Sequence, residues 1–252
     1  MTTRRAKVKA TESGGRSQWE VVIDGINDLI ATGVLTPGSR LPVENVLSVQ
    51  LGVSRSSLRE GVRALALMGV LETKQGNGTY VTSLEPATLL APLGVLINLQ
   101  RPGNIADVML VRRTLEVEAA GRAALRISDA ELTIAGDVLT RMESIIREET
   151  TAHDAVMEAD VDFHRVIAQA SGSPTLSAMI NGLASRTVRA RLWRALQKEG
   201  VERQTHAEHA SILSALTARD PDAARLRMNV HLLNVEEYLT AHLKADSRWA
   251  TG

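Results

Sequence analysis

Residues 52–81 read GVSRSSLREGVRALALMGVLETKQGNGTYV, and the order of parts in this stretch decides the fold. Ser54 opens a helix in which Leu58, Val62 and Leu65 recur at three- and four-residue steps, an apolar stripe that faces a core. Arg55, Arg59 and Arg63 lie along another face. After Gly69 the pattern turns strand-like, with Val70-Leu71-Glu72-Thr73 and Thr79-Tyr80-Val81 joined by the glycine-rich turn Gln75-Gly76-Asn77-Gly78. Working outward, a short helix over about 43–51 ends at Gly52, and Thr36-Pro37-Gly38 makes a turn. A first helix over 18–32 carries Trp19, Ile23, Ile26 and Ile30 on one stripe and stops at Gly33. Helix, helix, short turn, helix and two-stranded ribbon spell a winged helix-turn-helix over 18–83.

Such a unit enters the major groove with the N-terminal end of its third helix, so short polar and basic side chains belong there. Arg55 and Arg59 stand four apart, and an arginine can grip guanine O6 and N7 together, worth roughly 1–3 kcal/mol of discrimination. The hydroxyls of Ser54, Ser56 and Ser57 and the helix-start N–H groups suit phosphate oxygens. Gly76 and Gly78 let the ribbon tip come close to a backbone or groove. Taken alone, SRSSLRE also describes an ordinary capped helix with solvated arginines. Bulk charge does not choose between the two, because residues 18–84 hold five basic against six acidic side chains.

The whole chain is equally balanced, 29 basic against 29 acidic residues in 252, and its 44% hydrophobic content suffices for a core. Residues 1–84 carry ten basic against seven acidic groups, and the surplus sits in residues 1–17 at Arg4, Arg5, Lys7, Lys9 and Arg16. That polar segment with Gly14-Gly15 is expected to be a disordered basic arm. The absence of cysteine removes disulfides, iron–sulfur clusters and thiol catalysis, and leaves nitrogen and oxygen as metal ligands. Three Trp, two Tyr and one Phe are too few for a base-stacking platform. The opening MTTRRAKVKATESGG lacks the apolar run of a secretory signal, and Leu89–Ile97 is half a membrane span interrupted by Pro92. A cytoplasmic protein with no membrane partner is expected.

Ser83-Leu84-Glu85-Pro86 reads as a linker. Beyond it, residues 84–252 read as an all-helical bundle of six or seven helices, with breaks near Gly103-Asn104, Ser128-Asp129, Gly172-Ser173-Pro174, Gly200 and Asp220-Pro221. Ser128 and Glu131 have the spacing of a capping box, and Pro221 suits a first helical position. The fold class is therefore mainly α with a small β-ribbon wing.

Within the bundle, Asp160 and His164 are four apart and share a helix face, while His209 and His231 fall on two later helices. One carboxylate and three imidazoles can form a hard-to-borderline metal site with open positions. Unrelated helical histidines give the same spacing. His206 reads as a bystander and His153 and His242 as surface residues. Arg186, Arg189, Arg191 and Arg194 read as a solvated face or as intersubunit ion-pair partners.

The stretch Gly33-Val34-Leu35-Thr36-Pro37-Gly38-Ser39-Arg40-Leu41-Pro42-Val43-Glu44, followed by GVSRSSLRE and Gly76-Asn77-Gly78-Thr79-Tyr80-Val81, resembles the GntR family of bacterial regulators over the whole N-terminal domain. The resemblance implies DNA contacts at Arg40, Ser54, Arg55, Ser56, Ser57, Arg59 and Gly76, with structural roles for Glu44 and Glu60. The C-terminal half resembles the all-helical FCD ligand-binding domain of the FadR subfamily. Its landmarks are Arg112-x-x-Leu115-Glu116, Asp160-x-x-Phe163-His164, Ala170-Ser171-Gly172, the His209 segment and Ala223/Ala224 to His231; Ser173 departs from the asparagine often found there. It implies a divalent metal held by Asp160, His164, His209 and His231, with Zn²⁺ first and Mn²⁺, Ni²⁺ or Fe²⁺ as alternatives. It also implies that Arg112 grips a small carboxylate effector, a role competing with a plain i,i+4 ion pair to Glu116.

The expectation that follows is a regulator rather than an enzyme: a homodimeric repressor that binds a pseudo-palindromic double-stranded DNA operator and responds to a small organic acid. The effector would act through the linker near Ser83–Pro86. Two rivals remain at this stage: a metal-dependent hydrolase tethered to DNA, and a metalloregulator with no organic effector.

Overall fold

The computed structural model describes residues 17–98, 105–148, 152–184 and 200–243. Residues 1–16 of the basic arm, the arginine run 186–194, the break at 103–104 and the side chain of His242 lie outside the described residues. The chain divides into two compact units after Leu84. Leu84 packs against the core of the first unit.

The first unit comprises α1 (Gln18–Ala31), α2 (Glu44–Leu51), α3 (Arg55–Leu67), β1 (Leu71–Lys74) and β2 (Gly78–Val81). The strands pair antiparallel with Leu71 opposite Val81 and Lys74 opposite Gly78, leaving a three-residue tip. Gly76 at that tip has φ +72°, a left-handed conformation that costs glycine nothing. Ser39 and Leu41 also exchange backbone bonds with β2, Val81 N–H to Ser39 O at 2.9 Å and Leu41 N–H to Thr79 O at 2.8 Å. The Pro37–Leu41 segment is thereby laid against the wing. Val22, Ile26, Leu47, Leu58, Leu65, Leu71 and Val81 form the core.

The stripe expected on α1 holds at Ile23, Ile26 and Ile30, which lie in or against the core, and departs from expectation at its first member: Trp19 is 40% exposed, and Val22 is fully buried instead. Gly61 of α3 explains the shift, since a Cβ there would stand 2.6 Å from Val22 Cβ, and its absence lets α3 press onto that side of α1.

The second unit comprises α4 (Pro86–Leu89), α5 (Ala91–Asn98), α6 (Ile105–Ala124), α7 (Asp129–Arg147), α8 (His153–Ala170), α9 over residues 174–184, α10 (Val201–Thr217) and α11 (Pro221–Leu243). Among the described residues this is one helical segment more than expected, because a separate four-residue helix starts at Pro86, the last residue read as linker. Helices α6, α7, α8, α10 and α11 enclose the core, where Ala120, Ala123, Ala124, Ala135, Ala159, Ala215 and Ala224 permit close approach around Phe163, Met142 and Met228. Helix α7 starts with a capping box. Ser128 Oγ accepts from Glu131 N–H at 3.2 Å, and the Glu131 carboxylate accepts from Ser128 N–H at 2.8 Å. Asp220 Oδ1 accepts from the N–H groups of Asp222 and Ala223, fixing the start of α11. Among the described residues no helix is long and apolar enough to cross a membrane.

Candidate functional site

Two sites emerge, one in each unit. In the first, Ser54 caps α3: its Oγ accepts from Ser57 N–H at 3.1 Å and lies 2.8 and 2.9 Å from the hydroxyls of Ser56 and Ser57. The three serines thus gather at the helix start, with Arg55 exposed beside them. Arg59 donates from Nε and NH2 to the Glu44 carboxylate at 2.8–3.0 Å. That bond holds the Glu44 carboxyl below its ordinary range. The pair occupies one edge of the guanidinium and sets the direction of the other. The Arg40 guanidinium lies where a side chain at Gly78 would stand, since a Cβ there would sit 2.8 Å from Arg40 Nε. A concavity of about 490 Å³ opens between α2, α3 and the wing, lined among others by Arg40, Glu44, Arg59, Arg63, Thr73 and Thr79. A Cβ at Gly76 would meet nothing within 4 Å, so the tip is open on that side.

In the second unit, Asp160 and His164 project from α8, His209 from α10 and His231 from α11. All four are buried, and one ligand atom of each lies within 4.8 Å of the others. His209 Nε2 is 3.3 Å from His231 Nε2 and 3.6 Å from Asp160 Oδ1, and His164 Nε2 is 3.9 Å from that same oxygen. The far sides of two rings meet carboxylates. His231 Nδ1–H donates to Glu208 at 2.7 Å, and His164 Nδ1 abuts Glu116. Phe163 stacks on the His209 ring at 4.6 Å.

These contacts set the charges. Burial drives the His231 imidazole down to about 4 despite the neighbouring Glu208, with the charges of His164 and Arg112 also opposing its protonation. It is therefore neutral at pH 7, as a ligand must be. Burial would raise the Glu116 carboxyl, but Arg112 and His164 outweigh it and hold the group well below the usual carboxylate range. Burial likewise opposes ionisation of Glu208, and bonds from His231, Gln204 and Asn234 lower it on balance.

The donors fit a divalent ion. His164 Nε2 is buried without a hydrogen-bond partner. With Nδ1–H of His231 committed to Glu208, its Nε2 presents a lone pair toward His209 Nε2 across 3.3 Å. A proton on His209 Nε2 can satisfy that pair, but His164 Nε2 is left without a partner, and a cation among the four donor groups would supply one. Three imidazoles and a carboxylate suit zinc and its first-row neighbours.

The sequence pattern of the gntR-family bacterial regulatory proteins matches residues 19–81, and that of the FCD domain matches residues 107–234. The HTH-type transcriptional regulator LutR of Bacillus subtilis is 32% identical over 221 residues, spanning 86% of this chain and 98% of LutR. The chain belongs to the GntR family. It is a DNA-binding transcriptional regulator with an FCD effector-binding domain. The Glc operon transcriptional activator of Escherichia coli K12 is 33% identical over 230 residues, 87% of this chain and 88% of the relative. The solved structure of a Streptococcus agalactiae GntR protein superposes with a TM-score of 0.63 at 25% identity, covering 87% of this chain and 99% of the other. These relatives are regulators, not enzymes.

Other sequence expectations for this GntR-family chain need adjustment. His153 is half-buried rather than a surface residue, because its Nδ1 meets Glu202 at 2.6 Å and joins the starts of α8 and α10. His206 needs no adjustment: as a bystander it lies apart from the quartet, with Nε2 3.2 Å from the Leu139 carbonyl. Arg112 is fully buried and donates from Nε to Glu116, so the i,i+4 pair exists directly beside the quartet. Two residues beside the quartet were not singled out from the sequence: Glu208, which precedes His209, and Glu116, read as a landmark and as a partner for Arg112; both face an imidazole. The adjacency of Glu208 to His209 was a usable signal, whereas the contact of Glu116 with His164 spans two helices and left none.

Proposed function

We propose that this regulator is a homodimeric repressor of a pseudo-palindromic double-stranded DNA operator, controlled by a small organic acid at the quartet of Asp160, His164, His209 and His231. Arg55 and Arg59 read base edges, Ser54, Ser56 and Ser57 bind phosphates, and Arg40 and Gly76 meet the backbone from the wing side. The observation that carries the effector reading is the gathering of four buried donor groups from three helices beside the fully buried Arg112. When bound there, a divalent ion, zinc first, supplies a positive charge that attracts a carboxylate. Arg112 then supplies a second cationic anchor for a hydroxy acid or sugar acid. For control, the acid must bind the DNA-free arrangement more tightly than the DNA-bound one.

The test is a thermal-shift screen of small carboxylates with and without chelator, paired with operator binding. A true effector at a hundred times its Kd adds ~2.7 kcal/mol of stability, and it weakens operator binding only when metal is present. Release of the operator by chelation alone, with no response to any acid, would assign the metal itself as the signal. The Glc operon relative is by name an activator, so the sign needs its own measurement. Deleting the gene raises expression from the operator if the protein represses, and lowers it if the protein activates.

A further inference from the structure

Glu116 joins the two halves of the candidate effector site. It lies on α6 one turn after Arg112, and both side chains are buried, at 2% and 0% exposure. Its two oxygens have different partners: Oε1 accepts from Arg112 Nε–H, and Oε2 faces His164 Nδ1. On the other side of the cluster, Glu208 accepts a hydrogen bond from His231 Nδ1–H, where Glu116 stands in close ion-pair contact with His164 Nδ1, and the second Glu208 oxygen accepts from Asn234 at 2.8 Å and Gln204 at 2.9 Å. Glu208 has no contact with Arg112 among these bonds. Each of the two carboxylates therefore faces an imidazole, and only one of them is shared with the buried arginine.

We propose that Glu116 is a positioning residue that couples Arg112 to the metal quartet, so that the state of Arg112 sets the affinity of a ligand group it does not touch. This rests on the metal reading given above. A carboxylate on Nδ1–H fixes the tautomer and the ring direction of His164 and leaves Nε2 as the inward lone pair. Arg112 in turn fixes the rotamer of Glu116. Removing Arg112 leaves a buried carboxylate with one oxygen unpaired and free to turn, and the ring of His164 loses its restraint. By reciprocity, an anion that engages Arg112 alters metal affinity by the same factor by which metal alters anion affinity.

The experiment measures zinc affinity of the full chain by competition with a chromophoric chelator, using Zn²⁺ alone as the probe. Glu116→Gln, close in shape to the native residue, loses about 10–100-fold in affinity. Arg112→Ala also loses affinity. Combined with Glu116→Gln it adds less than it does alone, because the share that passes through Glu116 is already lost and only the direct effect of the Arg112 charge on the quartet is left. Glu208→Gln is the control: it weakens zinc binding, and Arg112→Ala adds its full effect on top.

Full additivity of the Glu116 and Arg112 changes overturns the coupling, as does unaltered zinc affinity in Glu116→Gln. Failure of the wild-type chain to take up zinc overturns the metal reading itself and the coupling with it. Should Arg112→Ala not fold, the imidazole ¹⁵N spectrum of zinc-loaded wild type decides. Protonated Nδ1 with bound Nε2 at His164 is expected, and the opposite tautomer refutes the role of Glu116.

Discussion

Replacing Glu44 by glutamine separates the two jobs open to Arg59, reading a base and attracting a phosphate. In the native chain Arg59 is clasped through Nε and NH2, and both side chains are exposed, at 60% and 49%. An exposed ion pair contributes only about 0–1 kcal/mol to stability, so the variant melts almost where the wild type does. Its DNA binding changes in two directions. One negative charge leaves the DNA-facing surface, which frees one guanidinium for phosphates and steepens the salt dependence by about 0.9 in log K per log salt. Between 50 and 200 mM salt that amounts to an additional ~3.5-fold drop in affinity. At the same time Arg59 loses its fixed direction, and with it a share of the roughly 1–3 kcal/mol of discrimination that a bidentate arginine gives. The ratio of operator to scrambled-duplex affinity falls, by about 150-fold at most. Fluorescence anisotropy on both duplexes across a salt series measures both quantities. An unchanged slope together with an unchanged ratio would falsify the view that Glu44 aims Arg59.

Arg55→Ala removes an exposed side chain at the start of α3; operator affinity falls about 5- to 150-fold with little change in melting temperature. Gly61→Ala puts a methyl group 2.6 Å from Val22 Cβ, and this overpacking costs about 1–3 kcal/mol in urea denaturation. Glu131, held below the usual carboxylate range by its bonds from Ser128, contributes stability that is full above its unfolded pKa and disappears as pH falls through the lowered folded value. The stability difference between wild type and Glu131→Gln therefore shrinks in acid, and pH-dependent denaturation curves that stay parallel contradict the capping box.

The winged domain was legible because its signals are local. Capping serine, glycine stop and ribbon turn each act over a few residues, and α2, α3 and both strands fall within a residue or two of where the pattern puts them. The exception is Trp19, whose placement depends on a missing methyl group at Gly61, forty-two positions away. In the second unit the quartet rested on a family resemblance, since spacing alone also allowed scattered histidines. The carboxylates behind it were harder to see. Glu116 meets His164 from another helix, and no periodicity encodes a contact 48 residues apart. Residues beyond Pro86 read as helical, but the start of α4 at Pro86 itself was not drawn from the sequence, although proline is at home in a first helical turn.

The quartet draws on α8, α10 and α11, and its last donor, His231, comes 71 positions after its first. A nascent chain leaving the ribosome therefore completes the sequence of its winged domain long before it has all four candidate donors. The first unit is free to fold early, whereas the pocket of the quartet closes only once α11 has emerged and docked.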